Sequence, residues 1–270
     1  GDILCFGRAN EGQLGYQNTE DIGDNEAAAS GGLLALGTSV SAIATDGGAF
    51  HNCALSTTNE VICWGGSQFS NVFSFLGYPG TTENIGDSEP PNSGGVVDVA
   101  GPGTTVTQLT TGQFHTCALL SDGNVRCWGR GTDGALGYGN LNEIGDDEVP
   151  SRAGNVPVGG TVTKVVAGWR HTCALLDTNA VRCWGNNNSG QLGYGNTVFV
   201  GTSASNTVDL LGDVDVGAPV VDITAGRVHT CALTTAGDVV CWGSSDAGQL
   251  GYGNLTPIGD DELPSSAGTV

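Results

Sequence analysis

One motif recurs five times along the chain, and this repetition constrains the fold more than any other feature of the sequence. The copies align on Cys5, Cys63, Cys127, Cys183 and Cys241, spaced 58, 64, 56 and 58 residues apart. All five Tyr (Tyr16, Tyr78, Tyr138, Tyr194, Tyr252) close an LGY triplet. Trp64, Trp128, Trp184 and Trp242 each follow the aligned Cys, with Phe6 in the first copy, and His51, His115, His171 and His229 share one position. Within a unit, TKVVAG and HTCALL alternate apolar and polar residues and are separated by Gly; a short turn then leads to AVRCWG, which alternates again. Period-two alternation broken by turn residues describes strands. A repeat of about 58 residues holding three or four short antiparallel strands fits one blade of a β-propeller.

Composition narrows the classes further. With 46 Gly and 9 Pro among 270 residues, an all-helical bundle is excluded and many tight turns are expected. Eight Lys plus Arg against 28 Asp plus Glu give a net charge of -20, which repels a phosphate backbone and makes nucleic acid a poor partner. No run approaches the roughly 20 apolar residues of a membrane span. The chain has no Met and begins at Gly1, so a processed or excerpted chain is expected.

The segments HTCAL, CWG, GQLGYG and the upstream VxxIxAG together resemble the RCC1 repeat family, and the resemblance runs the whole length. It implies an all-β, RCC1-like β-propeller forming a single domain over 1–270, with five units starting near 1, 61, 125, 181 and 239 and incomplete at both ends. A Cys pair in each complete unit and an acidic IGDDE loop depart from the general pattern and are similar to the secreted branch of the family. The nucleotide-exchange activity found in the nuclear branch does not carry over, because no loop here matches a Ran-contacting segment residue by residue.

Eight of the nine Cys pair at a spacing of ten: Cys53 with Cys63, Cys117 with Cys127, Cys173 with Cys183, and Cys231 with Cys241. A three-residue hairpin loop with a G1 bulge places its last residue in the left-handed region, and those residues are Asn59, Gly123, Asn179 and Gly237, the two types that tolerate it best. That register sets each Cys opposite its partner and predicts four intra-blade disulfides, hence a protein outside the reducing cytosol, secreted, periplasmic or on a cell surface, with an extracellular or cell-surface place expected. Zinc is the rival, since His115 and Cys117 share a strand face opposite Cys127, though a fourth ligand is missing. Cys5 lacks a partner ten residues earlier, and Gly268–Val270 match the start of a further strand. A section of a longer chain, a clipped product and a subunit whose gap another chain fills all remain open; in the last, Cys5 forms an inter-chain disulfide.

The loop after LGYGN carries Asp24 and Glu26, then Asp87 and Glu89, then Asp146, Asp147 and Glu148, and finally Asp260, Asp261 and Glu262, while the fourth copy has Val200–Ala204 instead. These carboxylates are candidate Ca²⁺ ligands, each loop giving at most three. The competing expectation is a turn capped by its own Asp and Glu on a solvated rim. Asn187 and Asn254 fit the N-glycosylation sequon. Trp169, the one Trp outside CWG, is read either as an exposed contact or as a plug between blades. Phe69, Phe73 and Phe75 mark an irregular second unit as a place for unique contacts. A symmetric repeat disfavours an active site, which needs unlike residues to converge, so no catalytic residue is assigned. The expected function is a non-enzymatic extracellular interaction propeller with protein partners, including self-association into a surface filament or sheath by strand addition. The alternative is a soluble, lectin-like or inhibitor-like binding module.

Overall fold

The computed structural model describes residues 1–45, 48–67 and 75–270. Four three-stranded antiparallel sheets follow one another in sequence. They are β1 (Val40–Ala44), β2 (His51–Ser56) and β3 (Val61–Gly65); β4 (Val106–Thr111), β5 (His115–Leu120) and β6 (Val125–Gly129); β7 (Val162–Ala167), β8 (His171–Leu176) and β9 (Val181–Gly185); and β10 (Val220–Ala225), β11 (His229–Thr234) and β12 (Val239–Gly243). Each is a propeller blade. A fourth, outer segment attaches to each last strand through a single bond: Val97, Val156, Val214 and Val270 donate their amides to Val61, Val125, Val181 and Val239. Residues 1–34 supply only the outer half of a preceding blade, with Gly7 paired to Ile22 and the Leu34 amide on the Ile3 carbonyl.

The hairpin register is the one that the Cys spacing predicts. Cys53 faces Cys63, and Cys117, Cys173 and Cys231 face Cys127, Cys183 and Cys241, each pair disulfide-bonded with Cα atoms 4.1 Å apart. Asn59, Gly123, Asn179 and Gly237 close the loops at φ of 65°, 79°, 66° and 88°. Every first strand also carries a bulge that the alternation does not reveal: Val106 pairs with Leu120 but Gln108 with Leu119, leaving Thr107 extra. The extra residue turns a hydroxyl back onto the ladder, so Ser41, Thr107 and Thr163 donate to the carbonyls of Leu55, Leu119 and Leu175. The bulge satisfies the carbonyl that the slipped ladder would strand.

The core lies between the blades. Trp64, Trp128, Trp184 and Trp242 are fully buried. The indole N–H groups of Trp64, Trp184 and Trp242 reach the carbonyls of Gln13, Ala135 and Gln191 in the preceding unit, all at 3.0 Å. The five Tyr tie each blade to its own outer segment: the Tyr138 hydroxyl accepts the Cys127 amide at 3.0 Å and lies against the Gly154 carbonyl at 3.4 Å. Burial of the phenol pushes Tyr78, Tyr138 and Tyr194 up to about 12.

Candidate interaction surfaces

The repeated His lies in the seams between blades. His51 Nε2 sits 2.7 Å from Thr116 Oγ1 of the next blade, His115 Nε2 3.0 Å from Thr172 Oγ1, and His171 Nε2 3.0 Å from Thr230 Oγ1. Thr172 and Thr230 in turn donate to the carbonyls of Ala135 and Gln191, the same oxygens that hold the Trp indoles. With the hydroxyl proton so committed, the imidazole Nε2 is the donor of the pair. Burial holds His51 down at about 3, His115 at about 4 and His171 at about 3, so all three are neutral. A neutral His that donates Nε2–H across a seam, beside a disulfide, has no lone pair there for zinc: the four Cys pairs are oxidised and the His is a seam bond. The Gly three residues before the His is dictated by this packing. A Cβ on Gly168 would lie 2.1 Å from His171 Cε1.

The acidic loops divide into two types. In the first two copies the Glu caps the turn: Glu26 accepts the Gly23 amide at 2.7 Å and Glu89 the Gly86 amide at 2.9 Å, and in the second Ser88 Oγ lies between Asp87 Oδ1 and Glu89 Oε2. Asp146, Asp147 and Glu148, and likewise Asp260, Asp261 and Glu262, bring their carboxylate oxygens within 4.8 Å of one another. Partial burial, then a shared proton with Asp147 and the Asp146 charge, raise Glu148 to about 7, and the same causes raise Glu262. In the fourth copy Asn206 does the capping, its Oδ1 accepting the Ser203 amide at 2.9 Å. Of the two sequons, Asn187 is fully buried, with its amide on the Asn196 and Val198 carbonyls, and offers no face to a glycan; Asn254 is exposed.

The loops between the first and second strands of the blades line up around one mouth of the central channel. Their backbones are joined hand to hand: Phe50 N donates to Gln113 O, Gln113 N to Trp169 O and Trp169 N to Arg227 O, at 3.5, 2.9 and 3.1 Å. Trp169 is neither a plug between blades nor a free contact. It lies half-buried across the mouth, donating its indole N–H to the Gly48 carbonyl, with the Arg227 guanidinium 3.6 Å above its ring centroid. Beside it Phe114 stacks on Phe50 at 5.3 Å and meets Phe75 at 5.5 Å, with Arg130 5.6 Å over the Phe114 ring. Phe69 and Phe73 lie outside the described residues. Below, the four inner strands line an open channel cavity of about 260 Å³ with small apolar and hydroxyl residues such as Ile43, Leu109, Thr110, Val166 and Thr224.

The end sheets each present an open flank. Leu233 is 38% exposed where Leu119 is 7%, and Val239 is 38% exposed where Val125 is 0%. His229 is half-buried and, among the described residues, has no hydroxyl across from it. At the other end Asn52 stands where the other blades have Thr and donates to Gln13 O at 2.7 Å, replacing the second bond of that Thr. There a cavity of about 840 Å³ separates β2 from the extended segment of Ile3–Gly7, with Phe6 64% exposed. Cys5, a free thiol, lines it, and burial pushes the thiol up to about 11.

Profiles described as the Regulator of chromosome condensation (RCC1) repeat match residues 38–71, 106–135, 162–191 and 220–249, and a second such profile matches 122–175 and 180–233. Together they cover more than half of the chain. The ultraviolet-B receptor UVR8 of Arabidopsis thaliana is 28% identical over 258 residues, which are 94% of this chain and 51% of the receptor. The probable E3 ubiquitin-protein ligase HERC3 of Homo sapiens is 34% identical over 151 residues, 56% of this chain and 14% of that protein. This chain thus spans about half the length of the plant receptor. Among solved structures, yeast RCC1 (Prp20), crystallised with Kap60, superposes with a TM-score of 0.66 at 23% identity over 97% of this chain and 57% of that one. Human WBSCR16 does so with a TM-score of 0.67 at 17% identity, over 97% and 65%. Both show the fold.

Proposed function

Since this chain belongs to the RCC1 repeat family, we propose that it is a non-enzymatic extracellular interaction propeller that associates with copies of itself as a subunit of a surface filament or sheath. One observation carries the reading: β11 and β12 expose Leu233 and Val239, apolar positions that the other blades bury against a successor, so this face takes a further blade-like unit, of the same chain or of another copy. Four disulfides support a place outside the reducing cytosol.

Light scattering across a concentration series tests this. A mass that grows with concentration, and falls to the monomer in the Leu233→Glu, Val239→Glu double variant, is expected. A monomer at every concentration overturns self-association. The second reading, a soluble binding module, draws on the unlike side chains at the channel mouth.

A further inference from the structure

We propose that the channel mouth built around Trp169 and Arg227 binds an acidic protein segment, one that sets a carboxylate on Arg227 and an apolar side chain beside Trp169. The strand-connecting loops of the mouth share one backbone link, from Gln113 to Trp169 and from Trp169 to Arg227, and the first loop joins the same chain of bonds one residue later, through Phe50. Their side chains differ. Position by position, Ala49, Gln113, Trp169 and Arg227 stand at one site of the loop. The fold therefore displays unlike residues on a repeated frame, and it does so at this face rather than in the seams, where His, Thr, Cys and Trp recur.

The charge distribution points to the partner. The chain carries 28 acidic residues against 8 basic ones, yet Arg130, Arg170 and Arg227 gather at this mouth. Arg170 already has a carboxylate, Asp133 at 3.4 Å, and bonds to Gln113 as well. Glu143 is a second acid near the mouth among the described residues; its carboxylate accepts the Gly131 amide and feels the charge of Arg130. Arg227 makes none of the ion pairs among the described residues and is exposed, while its stacking on Trp169 fixes the plane of the guanidinium. A planar fork held flat on an indole is pre-organised for bidentate capture of a carboxylate, with little side-chain entropy left to lose. The half-exposed Trp169 ring beside the guanidinium offers apolar surface for one aliphatic or aromatic side chain of the segment. The surrounding net charge of -20 opposes a long polyanion, so a short segment with few carboxylates and an apolar anchor is the complementary ligand.

The surface is separate from the open flank, so the two tests are independent. The full chain is titrated into a fluorescein-labelled peptide in which Glu and Asp alternate around one Phe, and anisotropy is followed at low and at physiological salt. Saturable binding is expected, weakening as salt rises, absent for the Gln/Asn version of the peptide, and reduced about tenfold or more by Arg227→Glu. Trp169→Phe, which keeps an aromatic floor, is expected to weaken it less than Arg227→Glu. Arg152→Glu, a reversal on an exposed arginine outside the mouth, is expected to leave it intact. The proposal is overturned if the peptide does not saturate, if Arg152→Glu reduces binding as much as Arg227→Glu, or if a heparin oligosaccharide binds in an Arg227-dependent way while the peptide does not. A Leu233→Glu, Val239→Glu protein that stays monomeric yet still binds the peptide separates this surface from self-association.

Discussion

Replacing Thr172 by Val removes one hydroxyl from the centre of a blade seam while keeping its shape, and the structure fixes what that hydroxyl does. It accepts His115 Nε2–H at 3.0 Å and donates to Ala135 O at 3.2 Å. The Ala135 carbonyl keeps a second partner, the Trp184 indole N–H at 3.0 Å, so it is not orphaned by the change. His115 has no such reserve: its ring is buried and its Nε2–H loses the acceptor named here. One orphaned buried donor costs about 1–3 kcal/mol and the second lost bond about 1 kcal/mol, so Thr172→Val is expected to destabilise by about 2–4 kcal/mol. With a urea m-value of about 2–3 kcal/mol/M, the unfolding midpoint of the disulfide-intact protein should fall by about 1–2 M. Thr230→Val, which repeats the geometry around His171, Gln191 and Trp242, should match it within about 1 kcal/mol, whereas Thr235→Val on the surface should change stability by less than about 0.5 kcal/mol. A midpoint for Thr172→Val within about 0.3 M of the parent would refute the assignment of the seam bond.

The same His residues set an acid limit. Their folded-state values lie below the unfolded value of about 6.5, so the stability they lend is complete above that pH and is lost as pH falls toward about 3–4. Three groups together give a slope of about 4 kcal/mol per pH unit. Glu143 and Glu148, raised to about 7, act in the opposite sense between pH 7 and the ordinary carboxylate range, but their partial exposure reduces their weight and the His term dominates. Urea midpoints should therefore drop steeply between about pH 6 and pH 4, and a flat profile there would sink this account. In the third acidic loop, Asp147→Asn copies Asn25 of the first, where Glu26 caps Gly23. It is expected to raise stability by about 0.5 kcal/mol at neutral pH, read as a higher urea midpoint that converges on the parent's as Glu148 protonates; no gain would mean that the like charges are already relieved by solvent.

The blades were legible in the sequence because their signals are local. The spacing of ten between Cys173 and Cys183, with Asn179 between them, is enough to set a hairpin register, since loop length and the one left-handed residue leave no other choice. What escaped involves residues far apart in the chain or a slip in the ladder. The partner of His115 is Thr172, 57 residues on, and nothing near His115 announces it. The bulge at Thr107 is written only as a hydroxyl after the first Val of the strand, a signal too short to separate from ordinary alternation. Asn187 reads as a turn residue in an Asn-rich stretch, yet its amide holds the next loop together from inside. The split among the acidic loops turns on a single position, Asn25 or Ser88 against Asp147 or Asp261, which decides whether the following Glu caps an amide or shares a proton.

Every seam bond points the same way along the chain: His from one blade and Thr from its successor, with Thr172 and Thr230 anchored in turn on the blade behind. Each blade joined in this way carries a plug on one side and a socket on the other. A unit spliced in between two such neighbours meets the same His–Thr contact on both sides, while the groups around that contact differ from seam to seam, as Asn52 and the Trp128 indole do. The number of blades is therefore free to change by duplication or deletion with the His–Thr contact kept, while the loops at the channel mouth diverge one blade at a time.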